Sequence, residues 1–306
     1  MAITRYRGRF APSPTGPLHF GSLVAAMGSY LDARHQQGEW LLRIEDLDPP
    51  REIAGAGDHI LRTLEQFGMT WDGPVSYQSQ RSQHYDAALN QLWQQGVLYH
   101  CGCSRQEIAD SAVQTEAGPV YPGTCRNGLP PGRSPRSVRV HTEAIAISVP
   151  DRLQAPLQQQ LASEIGDFVV RRADKLFSYQ LAVVVDDAAQ QVTDVVRGAD
   201  LLDSTPRQMY LQQLLGLPTP SYLHLPVAVN SARAKLSKQT LAQAVTVDDR
   251  HTAVIDVLRF LQQPLPESPQ DASRDELWQW AIDHWDVTAI PNSRTLPAPM
   301  EYLQPT

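Results

Sequence analysis

Apolar and polar positions along the first fifty residues follow the order strand, loop, helix, strand. Arg7 to Ala11 is short and partly apolar, and Pro12, Pro14, Gly16 and Pro17 then forbid regular structure. From Gly21 onward Leu23, Val24, Met27, Tyr30 and Leu31 recur at helical spacing, with Gly38 as the stop. Trp40 to Ile44 reads as a buried strand ending in Glu45, Asp46 and Asp48. Such a unit crosses over into a parallel sheet whose ligands bind outside the carboxyl ends of its strands. Helical segments follow around residues 54–67 and 81–96, before turn residues and cysteines from 98 to about 130 break the pattern as an insertion would. A polar stretch near 151–165 leads to Leu176–Val185 and Gln191–Val196, both strand-like, so the sheet is expected to resume there. The final third reads as helical. Val254, Val257, Leu258 and Leu261 share one face. Ser273 and Glu276 form a capping box ahead of Leu277, Trp278, Ala281, Ile282 and Trp285, an aromatic stripe read as core. The Pro-rich tail after Ile290 reads as loop, and no internal repeat is found.

Composition narrows the class. With 306 residues, 42% hydrophobic and 19% charged, the chain is an ordinary soluble globular protein of roughly two domains. No apolar run reaches the roughly 18 residues of a membrane helix, and the start lacks an apolar signal core, so a cytoplasmic protein is expected. A formal net charge of −7 means that a nucleic-acid partner would need a locally basic face. The segment Ala117–Thr142 has no acidic residue and carries Arg126, Arg133, Arg136 and Arg139; a solvated loop is the alternative reading. All three cysteines fall between positions 101 and 125, which argues against a secreted disulfide framework and leaves a metal site or free thiols.

The common phosphate and dinucleotide cradles, GxxxxGK[ST] and GxGxxG, are absent after the first strand. In their place, Arg9 to Ser22 puts a hydroxyl, a glycine, an imidazole and a second glycine where the first helix begins. Anions favour that location, because unpaired N–H groups and the helix dipole point at them and glycine lets them approach the backbone. A second element, Lys235-Leu-Ser-Lys-Gln239, follows the small residues Asn230 to Ala234. Two lysines three apart can clamp a triphosphate and stabilise the charge that builds as a carboxylate attacks the α-phosphate.

Taken in order, these segments resemble the catalytic core of the class I glutamyl-tRNA synthetases. Pro14-Thr-Gly-Pro-Leu-His19-Phe-Gly21 is similar to the family's HIGH-type motif, and Lys235 to Gln239 to its KMSKS-type motif; Arg9-Phe-Ala-Pro-Ser13 and Arg43-Ile-Glu-Asp46 extend the likeness over roughly residues 5 to 240. Ser22 and Gln239 depart from the motifs, and both are expected to be tolerated. The resemblance implies an α/β fold: a class I synthetase Rossmann-type parallel sheet with a zinc-containing insertion and a C-terminal helical domain. The corresponding division is 1–97 and 176–230 for the two halves of the nucleotide-binding domain, 98–175 for the insertion, and 231–306 for the KMSKS-type loop and helices. It further implies His19 and Lys238 as catalytic residues, and Thr15, His19, Gly21, Lys235, Ser237 and Lys238 as the ATP set, with Mg²⁺ accompanying ATP. Arg9, Ser13, Glu45, Tyr179 and Arg197 become the glutamate set: arginine forks grip carboxylates, Glu45 accepts from the α-ammonium, and Tyr179 offers a hydrogen bond.

Cys101, Cys103 and Cys125 supply three soft ligands, whereas a closed structural zinc site takes four. The fourth is open among His100, Tyr121, His141 and water, with histidine favoured on chemical grounds because a phenol binds well only after losing a proton of pKa about 10. The resemblance implies Tyr121, from the pattern Cys-x-Cys then Tyr-x-x-x-Cys, with one structural Zn²⁺ per chain. About 65 residues follow the second motif, too few for the anticodon-reading portion of full-length relatives. Three functions therefore compete. The first is that of shortened relatives, which adenylate glutamate without tRNA and esterify it to queuosine in the anticodon loop of tRNA(Asp). The others are a compact synthetase charging a tRNA 3′ end, and a catalytically inactive zinc-stabilised RNA-binding protein. A monomer is expected.

Overall fold

The computed structural model describes residues 5–115, 118–236, 243–246 and 248–303. Strand β1 (Arg7–Phe10) pairs in parallel with β2 (Glu39–Ile44), Arg9 opposite Leu41, and helix α1 (Phe20–His35) makes the crossover between them. A parallel pair needs such a crossover, and α1 covers one face of the sheet with Leu23, Val24, Met27 and Leu31, all buried. Strand β3 (Ser76–Tyr77) adds in parallel beyond β2, after α2 (Ala56–Phe67), which stops at Gly68 with φ of 89°. α3 (Ser82–Gln94) then leads into the insertion.

The insertion is mostly antiparallel. It contains β4 (Leu98–Cys101), α4 (Arg105–Ser111), the hairpin β5 (Val113–Thr115) and β6 (Gly118–Val120), β7 (Ser137–Val140), the hairpin β8 (Ala146–Val149) and β9 (Leu157–Gln160), and β10 (Phe168–Arg171). β7 lies between β10 and β4. The chain re-enters the main body through α5 (Tyr179–Ala189), β11 (Asp194–Gly198), α6 (Thr205–Leu215), β12 (Ser221–Leu225) and β13 (Val227–Val229). β11 and β12 are parallel, and β11 lies beside β1, where the Thr193 N–H donates to the Arg7 carbonyl at 2.9 Å.

Two expectations fail. Leu176–Val185 is not a strand: its second half opens α5, because the Ser178 hydroxyl accepts from the Leu181 N–H and starts a helix that the run of valines does not stop. The valines pack into a core shared with α3 and α6. The tail after Ile290 is not all loop, since β14 (Thr295–Pro297) pairs in parallel with β13. Between these strands lie α7 (Arg250–Phe260) and α8 (Arg274–Asp283), the latter begun by the expected Ser273–Glu276 capping box. Both helices pack on α1 and share its core. Trp278 and Trp285 are core residues, and their indole N–H groups donate to the Phe67 carbonyl and to Asp32. α1 also approaches β12 so closely that a methyl group at Gly28 would overlap Leu225. Among the described residues no helix is long and apolar enough to cross a membrane.

Candidate active site

The carboxyl ends of β1, β2 and β11, the start of α1 and the Lys235 segment surround one cavity of about 610 Å³. Arg9, Ser13, Thr15, His19, Gly21, Glu45, Tyr179, Arg197 and Lys235 all line it, so nine sequence-selected residues meet at one place. Ser237 and Lys238 lie outside the described residues.

His19 is the N-cap of α1. Its Nδ1 accepts from the Ser22 N–H at 3.2 Å, while the His19 N–H donates to the Ser22 hydroxyl at 2.7 Å. Ser22, a departure from the family motif, thus closes a capping box. In the neutral imidazole an accepting Nδ1 leaves the proton on Nε2. Gly21 makes room for this arrangement: a methyl there would stand 3.3 Å from the imidazole and 3.7 Å from the Leu236 carbonyl. The Lys235 segment is tied to the same place, since Leu236 N–H donates to Ala228 and Val245 N–H to Leu18, both at 2.9 Å. Lys235 Nζ pairs with Asp200 at 2.6 Å at the exposed rim of the cavity.

The glutamate set rests on a buried charge network. Arg9 holds Asp187 through Nε and Nη2 at 3.2 and 3.4 Å, and Arg43, fully buried, holds Asp187 at 2.8 Å and Glu45 at 3.3 Å. Burial raises the Glu45 carboxyl, with Arg43 and Arg9 pulling the other way. Burial acts on Asp187 too, but Arg9 and Arg43 overcome it and hold that carboxyl below its ordinary range. Asp186, beneath them, accepts from Arg81 at 2.5 Å, Gln78 at 2.7 Å and Tyr85 at 2.8 Å. Arg197 donates from Nη1 to Tyr179 at 3.3 Å, from Nη2 to Thr205 at 2.9 Å and from Nε to His224 at 3.0 Å. Sequence reasoning selected neither Arg43, Asp186, Asp187 nor His224. A pair of aspartates inside an apolar run was the available signal for two of them, because buried charges require partners.

The three cysteines also converge. Their sulfurs lie within 4.8 Å of one another, Cys103 and Cys125 at 3.6 Å, and the Tyr121 hydroxyl is 3.4 Å from Cys101 and 3.5 Å from Cys103. A tetrahedral ion with metal–sulfur and metal–oxygen distances of about 2.3 and 2.0 Å requires separations of about 3.8 and 3.5 Å, so this donor set can hold a metal ion. His100 is exposed and packs at a tilt against Trp93, ring centroids 4.9 Å apart. Gly166 makes space for Tyr121: with φ of 68° it bridges that residue, and a methyl there would stand 2.7 Å from Val120 and 3.1 Å from the Tyr121 carbonyl. Arg139 lies 3.9 Å over the Tyr121 ring. Burial would raise the Cys101 thiol, but hydrogen bonds with Tyr121 and Arg139 bring it to about 7. Three arginines of the acid-free segment are thereby engaged: Arg126 forks onto Asp167 at 2.9 and 2.8 Å, Arg133 pairs with Glu107, and Arg139 is buried.

A parallel sheet with an imidazole at the first helix start, paired arginines and a thiol-bearing insertion defines a class I synthetase body, and the chain belongs to that class: residues 5–262 match the family described as tRNA synthetases class I (E and Q), catalytic domain. Two solved structures share the fold. One is a glutamate tRNA ligase from Elizabethkingia meningosepticum (TM-score 0.79, 24% identity, covering 98% of this chain and 68% of that one). The other is the glutamate-tRNA synthetase of Elizabethkingia anophelis (TM-score 0.80, 24% identity, 98% and 69%). Within the class, the chain belongs with the glutamyl-Q tRNA(Asp) synthetases. The protein of that name from Dechloromonas aromatica is 57% identical, the match covering 96% of this chain and 98% of the relative. The one from Aromatoleum aromaticum is 54% identical over 97% and 94%, and the one from Chromobacterium violaceum 55% over 95% and 97%.

Proposed function

We propose that this chain activates glutamate with ATP, without tRNA, and transfers the glutamyl group to the queuosine of tRNA(Asp). The observation that carries the reading is the meeting of Arg9, Glu45, Tyr179 and Arg197 with Thr15, His19, Gly21 and Lys235 on one cavity. Two arginines and one carboxylate match a ligand with two carboxylates and one ammonium. In the activation step a glutamate α-carboxylate oxygen attacks the α-phosphorus of ATP. That P–O bond forms, the bond to pyrophosphate breaks, and pyrophosphate leaves with its electron pair. In transfer, an acceptor hydroxyl adds to the acyl carbon and AMP leaves while the hydroxyl proton is lost. The protein acts by positioning and by stabilising developing charge. His19 Nε2–H donates to phosphate at the start of α1. Lys235, exchanging Asp200 for phosphate, and Lys238 neutralise the triphosphate, which arrives with Mg²⁺.

Cys101, Cys103, Tyr121 and Cys125 are proposed to be the ligands that would hold one structural zinc ion. Its contribution is to hold the insertion's fold, since this cluster is not part of the cavity. The likeness to proteins named glutamyl-Q tRNA(Asp) synthetase, 54–57% identical and matched over 94–98% of their own length, supports modification of the anticodon loop over charging of a 3′ end. The test is to transfer labelled glutamate to tRNA(Asp) with and without queuosine and to digest the product. Label in the anticodon fragment of queuosine-bearing RNA alone supports the reading; label on the 3′ adenosine of either RNA makes the protein a compact synthetase. A monomer is proposed, and light scattering of the purified protein tests it.

A further inference from the structure

Arg197 is aimed by groups that sit behind it. Among the described residues it makes three hydrogen bonds, from Nε to His224 Nε2 at 3.0 Å, from Nη2 to Thr205 and from Nη1 to Tyr179. A guanidinium has five N–H donors, so these bonds leave one on each terminal nitrogen, the pair that a carboxylate can bridge. The Nε bond requires a lone pair on His224 Nε2. His224 is fully buried, and its Nδ1 lies 2.6 Å from Asp151 Oδ2. The Asp151 carboxylate accepts, so Nδ1 carries the proton and Nε2 does not. Asp151 is itself fixed: its other oxygen accepts the N–H groups of Leu153, Gln154 and His224 at 3.0, 2.8 and 3.3 Å. It belongs to the segment between β8 and β9 and bridges Tyr222 on β12. The insertion thereby pairs beside β12 and connects, through His224, to the Arg197 guanidinium that lines the cavity.

We propose that Asp151 and His224 are positioning residues for the amino-acid carboxylate: they fix the imidazole tautomer that orients the Arg197 fork. The proposal rests on the reading of Arg197 as a glutamate contact. Neither residue touches the ligand; a leucine in place of His224 would leave Arg197 Nε without an acceptor in a buried place, and the guanidinium would turn to find another.

The test uses glutamate-dependent ATP–pyrophosphate exchange with the full chain as wild type, His224→Leu and His224→Gln. Glutamine keeps an acceptor near the position of Nε2. The expected result is a KM for glutamate raised about tenfold or more in His224→Leu, a KM for ATP and a kcat changed far less, and a substantial return toward wild type in His224→Gln. An ATP KM that stays near the wild-type value shows that the variant is folded. Wild-type exchange together with an unchanged glutamate KM in His224→Leu, or equal losses in both histidine variants, would overturn the positioning role alone. No exchange by the wild type with glutamate would overturn the glutamate reading itself, and the proposal with it.

Discussion

Replacing Asp187 by asparagine removes one charge from the centre of the buried network and leaves its shape almost intact. Arg9 and Arg43 both depend on that carboxylate, through contacts of 3.2, 3.4 and 2.8 Å, and Arg43 has no exposure to water. Breaking a buried ion pair from one side costs about 3–5 kcal/mol, because the remaining charge stays desolvated. Glu45, 3.3 Å from Arg43, takes up part of the excess positive charge, so the lower end, about 3 kcal/mol, is expected. Urea unfolding at pH 7 reads this as a fall in midpoint without a change in slope. The pH dependence is a second reading. The Asp187 carboxyl is depressed in the fold by Arg9 and Arg43 against the opposing effect of burial, so its stabilisation is fully present above the unfolded value of about 3.9 and is lost as pH falls through the folded one. The gap between wild type and Asp187→Asn should be constant from pH 7 to pH 5 and shrink in stronger acid. Since Asp187 also aims Arg9, the KM for glutamate should rise. A loss below about 1 kcal/mol with an unchanged glutamate KM would refute the view that this network is buried and supports the amino-acid site.

Arg197→Lys should raise the KM for glutamate about tenfold or more, because an ammonium cannot hold Tyr179, Thr205 and His224 while gripping a carboxylate; equal activity in exchange assays would remove Arg197 from the glutamate set. Ser22→Ala should lose about 1 kcal/mol of stability with the capping box and slow adenylation through His19, whereas normal rates in single-turnover assays would show that the cap does not serve the imidazole. Cys125→Ser should reduce bound zinc well below the one ion per chain expected for wild type, measured by metal analysis, and lower the thermal midpoint. Wild-type protein with no zinc would defeat the metal assignment. Lys238→Ala should slow adenylation far more than it weakens glutamate binding, and equal loss of both would count against its role.

The strand–helix–strand opening and the nucleotide segment were legible because each is local: hydrophobic period, proline and glycine punctuation, and cap chemistry all act within a few residues. α5 was misread because three consecutive valines outweighed Ser178, whose cap decides the matter. β14 was missed because its partner β13 is remote in sequence, and short parallel strands carry little pattern of their own. In the site, the residues that line the cavity were reached through motif and resemblance. The groups behind them were not: Arg43 fell within a motif without a role, and Asp187, His224 and Asp151 meet their partners only through tertiary structure. The ion pairs of the acid-free segment were equally out of view, since Arg126 and Arg133 find their acids, Asp167 and Glu107, outside it.

Glutamate-dependent ATP–pyrophosphate exchange in the absence of any tRNA tests the central claim most directly. The account predicts exchange with glutamate and not with glutamine or aspartate, from purified protein alone. Exchange only after tRNA is added, or none with glutamate under any condition, would contradict it.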